Sequence, residues 1–281
     1  NTPKPKQQKD SLQPKEKSMS SESTIAVQPQ AFQHQPHDGN CGCPIHRNRQ
    51  QGPFTAPLGL PFSNHVRVES IPQQWAVDIY DEHHGYMGGS DLHNANFIHH
   101  GLYYQNNLTG AITWRYPPFS LKKVFYDTEG ELMPKPYTES DFDKLPPEME
   151  HRARDLFEDI TEDDVGESKV LEGDKFAEAN RICVGVNMAN LASCSLAASQ
   201  EAFVESAYCP NSVDYLITFV RADFEGSMIK ALRSKGWQCI GWSIPKQAAN
   251  RDYKAIRDRY KWVFACPVET VQEQAKLSNW G

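Results

Sequence analysis

Five potential metal ligands crowd into thirteen residues near the start of the chain: His34, His37, Cys41, Cys43 and His46. Thiolates and imidazoles at short spacing can close a tetrahedral zinc site, and His37, Cys41, Cys43 and His46 are the expected ligand set. The Cys-x-Cys step is tighter than the usual Cys-x2-Cys, so a polar loop with two reduced cysteines is the competing reading. A second His-rich stretch (His83, His84, His93, His99 and His100) reads as a solvated loop. Chemistry directed at phosphate sits in residues 246–261, with six basic and two acidic side chains and interleaved tyrosines. Arg251, Lys254 and Arg257 share a helical face there, enough to touch an RNA backbone without reading bases. An ordinary solvated helix fits the same residues.

A binding motif stands between these two regions. It opens with Ile71-Pro72-Gln73-Gln74-Trp75 and continues from Gly101-Leu102-Tyr103-Tyr104-Gln105-Asn106 through Thr109-Gly110 to Thr113-Trp114-Arg115-Tyr116-Pro117. Tyr103 and Tyr104 are strand neighbours and point to opposite faces. One can pack with Trp75 and Pro117 while the other pairs with Trp114, making a slot for a proline ring. The motif resembles a WW domain, a three-stranded sheet that takes Pro-rich peptides. The resemblance implies that Tyr103 and Trp114 line the peptide slot, while Trp75, Tyr104, Asn106 and Pro117 hold the fold. Twenty-seven residues separate Trp75 from Tyr103, so the first hairpin loop carries a long insertion.

The elements that position these residues are set by patterning. Residues 1–65 are rich in Gln, Pro, Lys and Ser with little apolar periodicity, a low-complexity tail. Residues 66–120 hold the WW-like module, and residues 121–178 an acidic linker. Within that linker, Met149, Ala153, Leu156, Phe157 and Ile160 mark one face of an amphipathic helix. Residues 179–281 alternate apolar strands (181–186, 213–220, 237–244, 261–265) with helices (191–208, 223–235, 251–259), which predicts a parallel sheet covered on both faces. The expected fold is therefore α+β and multidomain, ending in an α/β parallel-sheet domain.

That last domain resembles the NYN branch of PIN-like nucleases through Asn187-Met188-Ala189-Asn190-Leu191, Ala222-Asp223-Phe224 and Leu232-Arg233-Ser234-Lys235-Gly236. The resemblance places Asn187 and Arg221 where two catalytic carboxylates belong and leaves Asp223 alone. Magnesium requires several anionic oxygens. The implied site is catalytically dead, with no catalytic residues expected and Arg221 turned to RNA phosphate.

Charge tracks the segments. Residues 126–178 carry eighteen acids against six bases, a balance of −12, while residues 1–70 and 179–281 are each +3. Seven scattered cysteines argue against a disulfide scaffold and for a reducing compartment. No apolar run reaches the length of a membrane span. These features together predict a non-catalytic accessory subunit of a large ribonucleoprotein, the mitochondrial ribosome first. Its partners would be protein subunits, Pro-rich segments and ribosomal RNA. The mitochondrial matrix is the expected location, with cytoplasm or nucleus as alternatives. A WW-recruited metal-dependent RNA endonuclease and a free WW adaptor are the competing functions.

Overall fold

Gln105 and Asn106 both take positive φ, 49° and 66°, the two-residue turn whose twist matches the strands it joins. It links β2 (Phe97–Tyr104) to β3 (Asn107–Arg115), and this hairpin is one wing of a larger sheet. The computed structural model describes residues 65–83, 92, 97–186, 188, 190–222, 227–243 and 260–278. β1 (Val66–Ser70) adds to the outer edge of β2. β7 (Phe176–Val184) adds to β3, where Gly110 is required because any Cβ would strike the Cys183 carbonyl. Beyond β7 come β8 (Tyr215–Arg221), β10 (Lys261–Pro267) and β9 (Gln238–Ser243), giving the order β1-β2-β3-β7-β8-β10-β9. Every neighbouring pair is antiparallel except β7 and β8.

Helices and a second sheet cover the two faces. On one face α1 (Gln73–His83) buries Ala76, Ile79 and Tyr80 against Tyr103, Leu108, Ala111 and Cys183. On the same face lies the small sheet of β4 (Leu121–Tyr126), β5 (Leu132–Met133) and β6 (Glu167–Leu171). It packs Val124, Tyr126 and Leu171 over Phe176, Ile217 and Val263. The opposite face carries α4 (Leu191–Val204), with α5 (Ser227–Ser234) and α6 (Val268–Ser278) beside it. Short α2 (Glu139–Phe142) and α3 (Pro147–Phe157) join that core through Phe142, Met149, Ala153 and Phe157.

Three expectations are corrected by this architecture. The WW-like module does not form: Trp75 lies in α1, not in a first strand, and the hairpin's partners are β1 and β7 of a seven-stranded sheet. The slot between Tyr103 and Trp114 is absent because the two rings belong to cores on opposite faces. Trp114 is fully buried, stacked 4.6 Å from Phe203. The PIN-like parallel sheet is likewise absent, since β10 inserts between β8 and β9 and runs antiparallel to both. One sheet thus crosses the boundary expected between the two modules.

Trp114→Ala should cost about 3–5 kcal/mol, the range for truncating a buried large aromatic. Urea unfolding followed by circular dichroism measures it; a peptide-slot residue would leave stability almost unchanged.

Candidate active site

The parallel ladder between β7 and β8 lasts three residue pairs: Phe176 with Tyr215, Ala177 with Leu216 and Glu178 with Ile217. At the next step the Thr218 hydroxyl donates to the Ala179 carbonyl at 2.8 Å, and no further β7–β8 pairing occurs among the described residues. The cause of the split lies on the other side of β7. The register with β3 jumps from Trp114–Ala179 to Thr113–Arg181, so Asn180 is an extra, bulged residue. A bulge bends its strand and sharpens the local twist. Both strands run parallel, so the wedge between them opens toward their carboxyl ends, where ligands bind in open α/β sheets.

The chain leaves β7 at Val184, where the Gly185 amide donates to the Thr109 carbonyl at 2.7 Å. Asn190, at φ 64°, precedes α4, and the Cys194 amide returns to its carbonyl at 3.0 Å. The amino end of α4 therefore lies six residues beyond the carboxyl end of β7, the end toward which the wedge opens. The first-turn amides of a helix lack intrahelical acceptors and carry its positive pole.

Polar side chains line the opposite face of the wedge. Glu178 is buried at the crotch, accepting from Arg115 Nε at 2.7 Å and from Asn180 Nδ2 at 3.1 Å. Arg181 is also buried, and its Nη1 donates to Asn180 Oδ1. Across the gap, Lys261 sits opposite Arg221 in the β8–β10 register. Burial pulls the Lys261 ammonium below its ordinary pKa; nearby Glu178 opposes this, while Arg181, Arg115 and Arg221 add to the depression.

Two buried polar nodes brace the hairpin wing beside the wedge. Under α1, the Thr113 hydroxyl meets His99 Nδ1 at 2.9 Å and Tyr80 Oη at 2.8 Å. Under α4, Ser199 Oγ accepts from Trp114 Nε1 at 3.0 Å and meets His100 Nδ1 at 2.9 Å. Burial drives the Tyr80 phenol far up and lowers His99 and His100 to about 4 each. Both histidines are therefore neutral at physiological pH.

The residues singled out from sequence scatter. Tyr103 packs under α1 with the Arg67 guanidinium 4.6 Å from its ring, and Trp114 lies beneath α4. Arg221 ends β8 at the wedge. His37, Cys41, Cys43, His46, Arg251, Lys254 and Arg257 lie outside the described residues, as do Asn187 and Asp223. The zinc expectation is corrected: among the described residues no group of three or more His, Cys, Asp or Glu side chains is placed to hold a metal ion. No described helix is long and apolar enough to cross a membrane. Glu178 and Thr218 are the residues that sequence reasoning missed, and Lys261 entered it only as the last residue of the basic stretch 246–261. The available signal was a lone carboxylate in the apolar run Phe176-Ala177-Glu178-Ala179, at the end of a stretch read as acidic linker.

No family model matches the chain, and no curated protein matches it. Solved structures do. The ribosomal-protein-S18-alanine N-acetyltransferase of Escherichia coli is 10% identical, with 72% of this chain and 94% of that one covered at a TM-score of 0.40. An acetyltransferase of the GNAT family from Streptococcus pneumoniae is 8% identical, over 72% and 99%, at 0.35. FeeM, an N-acyl amino acid synthase from uncultured soil microbes, is 13% identical, over 77% and 98%, at 0.38. These are two acetyltransferases and an acyl synthase; the WW and nuclease expectations fall to the sheet topology described above, and the expected non-catalytic ribonucleoprotein subunit falls with the modules it was built on.

The buried histidines make acid stability a direct check. Their folded pKa values lie below the unfolded value of 6.5, so the unfolded chain binds protons that the native one refuses. Stability should fall as pH drops from about 6.5 toward about 4, by on the order of 3 kcal/mol per histidine, and be insensitive to this pair above about 7. Urea midpoints across that range measure the slope, which His99→Gln should roughly halve.

Proposed function

We propose that the chain is an acyltransferase, moving an acyl group from a pantetheine thioester such as acetyl-coenzyme A to an amine. The observation that carries this reading is the split between β7 and β8 opening beside the amino end of α4. Beyond the split no β7–β8 pairing occurs among the described residues, which leaves room between the two strands for an extended arm containing amides. The adjoining helix amino end suits phosphate. A phosphopantetheine carrier combines both features in one molecule, with the reactive thioester at the arm's far end.

Glu178, at the crotch, is the proton acceptor in this reading. Arg115 and Asn180 fix the position of its carboxylate by two hydrogen bonds. The acceptor's nitrogen forms the new C–N bond as the C–S bond breaks; Glu178 takes the amine proton, and the departing sulfur is protonated in turn. General-base assistance of this kind contributes about 10²–10⁴-fold. The buried His99 and His100 are committed to Thr113 and Ser199 and have structural roles.

The test is thiol release from acetyl-coenzyme A in the presence of a panel of amines. Glu178→Gln should lower kcat by about 10²–10³-fold with the dissociation constant of acetyl-coenzyme A unchanged. Failure of the wild-type chain to bind acetyl-coenzyme A would contradict the reading.

A further inference from the structure

Among the described residues, four basic side chains and one carboxylate share the face of the wedge opposite α4. The placement is fixed by register: Arg115 pairs with Glu178, Glu178 with Ile217, and Arg221, two alternations on, with Lys261. Arg181, paired with Thr113, completes the group. That carboxylate, Glu178, is already engaged by Arg115 and Asn180. Lys261 is only partly exposed, and its ammonium makes no hydrogen bond or ion pair with a described residue. Three guanidiniums act on it from β3, β7 and β8.

An ammonium held among guanidiniums in a partly dry cleft is costly unless something anionic arrives. The donor's phosphates are not that anion, because the helix end that suits them belongs to the other face of the sheet. We propose that Lys261 binds an anionic group of the acceptor, so that the amine acylated here belongs to a molecule that also carries a carboxylate, such as a free amino acid. The inference rests on the acyl-transfer reading for calling the bound molecule an acceptor. Lys261 is a specificity residue here, touching the acceptor's carboxylate while Glu178 faces its amine.

Titration calorimetry on the full chain, without donor, tests this with pairs that differ only in the carboxylate: L-phenylalanine against 2-phenylethylamine, and L-leucine against isoamylamine. The wild type should bind at least one amino acid about 10- to 100-fold more tightly than its decarboxylated partner, the range for a hydrogen-bonded charge. Lys261→Met should erase that preference, and Lys261→Arg should keep most of it. Equal affinities within both pairs, no binding of either amino acid, or a preference that survives Lys261→Met would each overturn the proposal. Acetyl-coenzyme A is titrated separately. If it fails to bind while the carboxylate preference holds, acyl transfer falls and the anion site stands; the reverse result removes only the anion site.

Discussion

The hydrogen bond from Thr218 Oγ1 to the Ala179 carbonyl occupies the place of a fourth rung in the parallel ladder between β7 and β8. A buried carbonyl left unpaired there would cost about 1–3 kcal/mol, and a fully zipped ladder would close the cleft. One side-chain hydroxyl avoids both outcomes. The Asn180 bulge bends β7 away from β8, and the threonine satisfies the group that the bend exposes. Glu178 is then the last residue of β7 paired to β8, which is why its carboxylate lies at the crotch and not along a strand flank.

The wings must stay rigid for such a split to persist. On the hairpin side, the Thr113 and Ser199 nodes tie β2 and β3 to α1 and α4 through groups that leave no buried charge. On the far side, Tyr137 stacks 3.4 Å from Trp242, and its hydroxyl accepts the Trp242 amide at 3.0 Å. Phe142, Phe157 and Trp262 surround that stack. The cationic row lies between these two braced blocks, so a ligand there meets preplaced groups and little ordering remains to oppose binding.

Local chemistry was legible in the sequence, and long-range pairing was not. The strand through Tyr103-Tyr104 and the helix starting at Leu191 reflect short-range preference, whereas the turn that the WW-like motif implies at Thr109-Gly110 falls instead at Gln105-Asn106, with Thr109 and Gly110 inside β3. Ile71-Pro72-Gln73-Gln74-Trp75 misled because Pro72 serves equally to open a helix: its carbonyl takes the Trp75 and Ala76 amides. Strands covered on both faces read as continuous apolar runs whichever way they point, so the insertion of antiparallel β10 between β8 and β9 left no mark. Glu178 and Arg115 meet across 63 residues, and the wedge depends on one bulge. Neither has a spacing that a single sequence displays.

Amide hydrogen exchange along β7 and β8, with and without acetyl-coenzyme A, tests the wedge most directly. Residues 179–184 and 218–221 form the unzipped edges, and residues 176–178 and 215–217 are already paired. Added protection should concentrate in the unzipped stretches and at the start of α4, with the paired stretches unchanged. Protection confined to other elements, or none at any concentration that saturates binding, would contradict it.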